Sequence, residues 1–210
     1  MLPRARPPTR LCRAKASIMD LIAALEGDRA ALLAFRSKGS LICPLTTDYA
    51  FLRQALDGVS PDSAPRGETD LGDAIRKALE ALDPALDEYN AILLISDGED
   101  LKGGALDAAR EAARRNIPIF TVGIGDPAGA TIPGEDGKSA QQFQGAPVQT
   151  RLMDETLTAI AQASNGRYIP LGTAGTAHTT LGSIYRRHLR TIAAKEQQEL
   201  IENRYQERYQ

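Results

Sequence analysis

The 210-residue sequence contains no tryptophan, two cysteines and two histidines. Neither His178 nor His188 lies near a serine or cysteine in a recognisable nucleophile turn, so the pattern disfavours a hydrolytic triad. Cys12 and Cys43 fall in a helix-like and a strand-like segment. We expect both to be buried free thiols, which say nothing firm about the cellular compartment.

Long apolar runs are also missing, and none approaches the roughly 20 residues of a transmembrane helix. The 25 basic and 27 acidic residues leave a net charge of −2, which gives no general attraction to nucleic acid or to an anionic membrane. We therefore expect the chain as given to be soluble. Residues 1–19 are basic without an acid, a composition typical of transit peptides, but the same residues suit a domain helix.

One apolar segment ends in a cluster of acids. Residues 91–95 are apolar throughout, which favours a strand buried on both faces of a parallel sheet. Asp97, Gly98, Glu99 and Asp100 follow. Open α/β sheets bind ligands at the carboxyl ends of their strands, and carboxylates suit Mg²⁺, Ca²⁺ or Mn²⁺. The alternative is an ordinary turn with solvated acids.

Strands alternate with helices, which predicts an α/β fold: a doubly wound, mostly parallel sheet with helices on both faces. Residues 1–190 would form one domain with a hairpin-like insertion at about 128–150, followed by a polar tail at 191–210. The predicted strands are 30–35, 41–45, 91–95, 117–123 and 167–171, with 91–95 central and 41–45, which contains Pro44, antiparallel at an edge. The predicted helices are 11–25, 49–56, 71–82, 105–115 and 181–189, with a further helix that Asp154 caps. Thr9 and Asp48 are the predicted N-caps of the first two helices.

Thr69 ends a loop before one of these helices, at the same sheet edge as Asp97. A hydroxyl and a carboxylate there could share one divalent cation, which could accept a further carboxylate from a partner molecule. The alternative for Thr69 is a plain helix N-cap.

The alternative function is a Rossmann-like, Mg²⁺-dependent enzyme that uses Asp97. Residues 121–125 end a strand with glycines, but they do not form a full dinucleotide fingerprint.

Several short motifs, in their order and spacing, resemble von Willebrand factor type A (VWA) domains, and most closely the bacterial Bat, or aerotolerance, subgroup. The resemblance runs from about residue 7 to residue 210. The motifs are residues 67–72, 95–99 and 122–125 for VWA domains in general, and 43–48, the 131–152 insertion and 165–168 for the Bat subgroup.

The resemblance implies a VWA fold with a metal-ion-dependent adhesion site, in which Thr69 and Asp97 match two of the family's metal ligands. It also predicts a partner-binding rim of Glu68, Asp70, Gly98 and Glu99. The expected cofactor is Mg²⁺, or Mn²⁺ or Ca²⁺. The family's Asp-x-Ser-x-Ser loop has no match in this chain, so the resemblance implies a missing first strand, an incomplete site and weak metal binding.

The resemblance further implies a non-enzymatic interaction module of a membrane-anchored bacterial protein. The full-length protein would lie in the inner membrane, anchored by spans outside this chain, which would then be a fragment or begin at a late start codon. The expected partners are proteins, such as a MoxR-type AAA+ ATPase or other Bat proteins, and not nucleic acid.

Overall fold

A computed structural model describes residues 9–125, 129–131, 142–143, 146–147, 149–170 and 180–190. The helices are α1 Arg10–Ala24, α2 Tyr49–Gly58, α3 Leu71–Glu80, α4 Ala105–Arg114, α5 Asp154–Ala163 and α6 Leu181–Ile184, with a 3₁₀ helix at Pro84–Tyr89 and a π-helical turn at Tyr185–Leu189. The strands are β1 Ala30–Phe35, β2 Gly39–Thr46, β3 Ile92–Ser96, β4 Ile119–Gly123, β5 Ala130–Thr131, β6 Gln142–Phe143, β7 Ala146–Pro147, β8 Gln149–Thr150 and β9 Tyr168–Pro170.

Two predicted helix caps are confirmed and one is wrong. The Thr9 side chain accepts a hydrogen bond from the Cys12 N–H, and Asp48 accepts from the first N–H groups of α2. Asp154, by contrast, is the first residue of α5, and its N-cap is Met153. The Asp154 carboxylate accepts a hydrogen bond from the Tyr168 hydroxyl, so this acid joins α5 to β9.

Three parallel strands form the main sheet in the order β3-β4-β9. The prediction that residues 91–95 form the central strand is therefore corrected. Among the described residues β3 pairs only with β4, whereas β4 pairs on both sides. All five residues of β4 are buried, but in β3 only Leu94 and Ser96 are. Pairing on both edges and cover on both faces make β4 the centre of the sheet.

β1 and β2 form the predicted antiparallel hairpin, with Phe35 opposite Gly39 next to the turn. The two strands make a sheet of their own, so the expectation of five strands in one sheet is not met within the described part of the chain. Pro44 is exposed, as suits a residue without a backbone donor on the outer strand of a hairpin.

Helices cover both faces of the β3-β4-β9 sheet, which confirms the doubly wound α/β fold class. On one face α3, α4 and α5 pack on the sheet through a cluster that includes Ile75, Ala109 and Ile160. On the other face α1 and α6 pack on β4 and β9. A third cluster joins α1 and α2 to the hairpin around Cys43.

The insertion forms short antiparallel pairs wherever the structure describes it: β5 with β8, and β6 with β7. The tail predicted at 191–210 lies outside the described residues. Of the helices that are described, none is both long and apolar enough to cross a membrane.

The prediction of two buried cysteines holds for Cys43 and is wrong for Cys12. Cys43 is fully buried, and burial followed by the charge of Asp48 raises the pKa of its thiol. Cys12 is exposed, because it lies off the face of α1 that packs through Ile18 and Ile22.

The backbone at Gly166 lies so close to the first residue of β4 that only glycine fits there. A Cβ at this position would lie 2.0 Å from the carbonyl oxygen of Ile119. We expect Gly166→Ala to lower the free energy of unfolding by about 3 kcal/mol, because the obstacle is backbone. The matched control is Gly58→Ala, where a Cβ meets nothing within 4 Å; it should be neutral or stabilising by up to about 1 kcal/mol. Urea unfolding of both variants measures the difference, and equal stabilities would contradict the packing described for Gly166.

Tyr185, at the start of the π-helical turn, connects this turn to the loop after α1, because its hydroxyl donates a hydrogen bond to the Asp28 carboxylate. Burial, this hydrogen bond and the charge of Asp28 raise the pKa of Tyr185 from 10.0 to about 12. Since the folded-state pKa is the higher one, this stabilisation is complete below about pH 10 and is lost as the pH rises towards 12.

We expect Tyr185→Phe to be less stable than the wild type by about 1–3 kcal/mol near neutral pH. The difference between the two proteins should shrink between about pH 10 and pH 12. Urea unfolding at a series of pH values measures it, and a difference that stays constant across that range would show that the phenol is not the group responsible.

Candidate metal and partner-binding site

The turn after β3 places Asp97 at the carboxyl end of the sheet. Gly98 has a φ of +83°, and a Cβ there would lie 2.6 Å from the carbonyl oxygen of Met153. Its N–H donates to the hydroxyl of Ser96 at 3.0 Å, and the Met153 N–H donates to the Asp97 carbonyl at 2.7 Å. Glycine is therefore required both by the backbone conformation and by the close approach of the segment before α5.

The loop before α3 meets this turn directly. The carbonyl of Thr69 accepts a hydrogen bond from the Leu101 N–H at 3.1 Å. The N-cap of α3 is Asp70, whose carboxylate accepts from the Asp73 N–H at 2.7 Å. The alternative that Thr69 is the helix cap is therefore wrong, and its hydroxyl has no capping role.

Asp100 fixes the two loops to each other. One of its carboxylate oxygens accepts from the Leu71 N–H at 3.3 Å, and the other from the Ala105 N–H at 3.1 Å. These are the first N–H groups of α3 and α4, which have no partner inside their helices. The helices also touch at their starts, since a Cβ on Gly72 would lie 2.7 Å from the carbonyl carbon of Gly104.

Asp97 has an ion-pair partner that the sequence did not reveal. The Arg10 guanidinium, from the first residue of α1, lies 2.5 Å from the Asp97 carboxylate. The two side chains are 31% and 20% exposed, so the pair is partly shielded from water. Arg10 is separated from Asp97 by 87 residues, and a sequence pattern cannot show such a contact.

The predicted rim residues differ in their surroundings. Glu68 is exposed, whereas Gly98 is buried. Asp70 is occupied by its capping bond and lies 3.6 Å from the Lys102 ammonium. Glu99 is partly buried; burial and the charge of Asp97 raise the pKa of its carboxyl, although Arg10 opposes this.

Apolar side chains also border this edge of the sheet, and sequence reasoning missed them. Leu101 is 63% exposed, Leu106 41% and Met153 37%. Leu101 and Met153 come from segments hydrogen-bonded to Thr69 and Asp97, respectively. Exposed large apolar side chains beside a polar centre are typical of protein-binding surfaces.

The donor chemistry suits a hard divalent cation, but the described residues do not complete a ligand set. Asp97 and Thr69 supply oxygen atoms, as Mg²⁺ requires. Both oxygens of Asp100 are already bound to backbone N–H groups. Within the described ranges no three His, Cys, Asp or Glu side chains group as a metal site. That the Thr69 and Asp97 oxygens lie within about 6 Å of each other stays a prediction.

The glycines at the end of β4 have a packing role. A Cβ on Gly123 would lie 2.7 Å from the Tyr168 hydroxyl, and one on Gly125 would lie 3.1 Å from the Cβ of Leu152. Close side-chain contacts account for these glycines without a bound nucleotide.

Comparisons with known proteins agree with this architecture. The family model described as von Willebrand factor type A domain matches residues 1–99. A structure from the mussel byssus, proximal thread matrix protein 1 with a zinc-occupied MIDAS motif, has a TM-score of 0.55 at 14% identity, covers 87% of this chain and 39% of its own, and supports the fold alone. The chain thus has the VWA fold and resembles VWA domains, a class whose members generally serve as interaction modules and commonly bind a divalent metal.

Within that class, the chain resembles Bat proteins. BatB from Bacteroides thetaiotaomicron has a TM-score of 0.81 and 29% identity, with 92% of this chain and 93% of that chain covered. An aerotolerance-related membrane protein from Bacteroides fragilis has a TM-score of 0.80 and 29% identity, with 89% and 90% covered. No curated protein sequence matches the chain significantly.

Asp100 should be a structural residue. We expect Asp100→Ala to lower the free energy of unfolding by about 2–3 kcal/mol, because two buried helix-start N–H groups lose a charged acceptor. Asp107→Ala is the control, since this acid lies in the first turn of α4 but its side chain is 76% exposed; it should cost less than about 1 kcal/mol. Denaturant unfolding compares them, and equal losses would refute the bridging role of Asp100.

Proposed function

We propose that this domain binds a partner protein in a metal-dependent manner. A divalent cation held by Thr69 and Asp97 would take a carboxylate of the partner. The observation that carries the proposal is the position of Asp97: a partly exposed carboxylate at the carboxyl end of β3, with the loop that carries Thr69 bonded to the same turn.

The chain's own groups would act as follows. Asp97 would supply the negative charge next to the cation, and the Thr69 hydroxyl a neutral oxygen ligand. The bound cation would supply open coordination positions that accept an anionic oxygen of the partner. Asp100 would keep Thr69 and Asp97 in position because it holds the starts of α3 and α4 together.

The surroundings of Asp97 support a protein rather than a small molecule as the partner. Leu101 and Met153 expose apolar surface beside it, and Glu68 and Glu99 supply polar groups. A patch with an apolar part and a charged centre suits a protein surface that carries an acidic residue among apolar ones.

We further propose Mg²⁺ as the usual cation, with Mn²⁺ or Ca²⁺ as substitutes, and an affinity no better than about millimolar in this chain. The proposed partners are a MoxR-type AAA+ ATPase or other Bat proteins. The proposed location is the bacterial inner membrane; this agrees with the description of the Bacteroides fragilis relative as a membrane protein.

We expect Asp97→Asn to abolish Mn²⁺ and Mg²⁺ binding by this chain, because the variant lacks the charged ligand. Calorimetric titration with each metal measures it. Asp107→Asn is the control, since it removes one carboxylate from an exposed position on α4 and should leave the affinity unchanged. Equal metal binding by Asp97→Asn and the wild type would rule out the proposed site, and turnover of a phosphate substrate would favour the alternative of a Mg²⁺-dependent enzyme.

A further inference from the structure

We propose that Arg10 is a built-in counter-ion of Asp97 that competes with a divalent cation for this carboxylate, so that this arginine lowers the metal affinity of the site. The inference rests on the proposed function of Asp97 as a metal ligand. It assigns to the start of α1 a direct part in metal binding.

The contact geometry supports competition. One guanidinium nitrogen lies 2.5 Å from one Asp97 oxygen, so Arg10 occupies the position at which a cation would meet that oxygen. Among the described residues, the other carboxylate oxygen accepts one long bond of 3.4 Å from the Glu99 N–H. The well-bonded oxygen of Asp97 is therefore the one that Arg10 holds, and a metal would take it only by replacing the guanidinium.

The position of Arg10 in its helix supports a role beyond helix stability. Arg10 is the first residue of α1, where the positive end of the helix dipole disfavours a cation. The first turn of α1 contains no acid to compensate. Within the part of the chain that the structure describes, its favourable charged contact is with Asp97 on a distant segment, so an electrostatic reason for a cation at this position lies in the candidate site.

A divalent cation can displace the Arg10 side chain from Asp97 at a modest cost in free energy. Its side chain is 31% exposed, so the guanidinium can move into water rather than into the core. An ion pair of this exposure is stabilised by only a modest free energy, which a divalent ion can exceed. Arg10 would thus lower the metal affinity without closing the site.

The experiment compares Arg10→Gln with Arg13→Gln. Arg13 lies three residues further along α1 and is exposed, so both variants lose one positive charge from the same helix. Mn²⁺ affinity is measured by calorimetry for both variants, the wild type and Asp97→Asn. We expect Arg10→Gln to bind Mn²⁺ roughly tenfold more tightly than the wild type, and Arg13→Gln to stay within about twofold of it.

The outcomes separate this inference from the proposed function. If Asp97→Asn abolishes binding but Arg10→Gln binds no more tightly than Arg13→Gln, the counter-ion role is wrong while the metal site stands. If Asp97→Asn binds as well as the wild type, or if no variant binds Mn²⁺, both are wrong.

A second measurement tests the ion pair without any metal. The stabilities of Arg10→Gln, Asp97→Asn and the double variant form a cycle by urea unfolding. We expect the double variant to be more stable than additivity of the single changes implies, since either change alone leaves one partly buried charge unpaired. Additive effects would show that the two side chains are not coupled and would overturn the inference.

Discussion

The bridge that Asp100 makes between two helix starts holds the candidate site in place. Its two oxygens accept the first free N–H groups of α3 and α4, which are also the positive ends of the two helix dipoles. The turn after β3 and the loop before α3 are thereby fixed to one another. The backbone bonds from Leu101 to Thr69 at 3.1 Å and from Met153 to Asp97 at 2.7 Å add to this bridge, so the positions of Thr69 and Asp97 depend on all three.

The acids at this edge of the sheet have separate tasks. Asp100 and Asp70 accept hydrogen bonds from backbone N–H groups and stabilise the starts of the helices. Asp97 keeps a carboxylate oriented towards a cation, and that cation is Arg10 in this structure. Glu99 lies close enough to Asp97 for the two charges to interact. Burial and the charge of Asp97 raise the pKa of Glu99, while Arg10 pairs with Asp97, so the two acids differ in their electrostatic surroundings.

Thr9 and Asp48 were identified as caps because the cap and its helix are adjacent in sequence. Asp154 failed as a cap because its carboxylate binds Tyr168 instead, a partner that no local pattern shows. The apolar run in β3 correctly predicted a strand. Its rank in the sheet was wrong, because strand order depends on pairing between distant segments.

Local periodicity and turn chemistry are enough to predict the α/β class, the acid-rich turn and the place of Asp97 at the end of a strand. Contacts between distant segments are needed to show that β4 is central, that Asp70 rather than Thr69 caps α3, and that Arg10 lies against Asp97. The physical reason is that hydrogen bonds and charges select partners by distance in space. Arg10 and Asp97 are 87 residues apart, so no local sequence pattern predicts their contact.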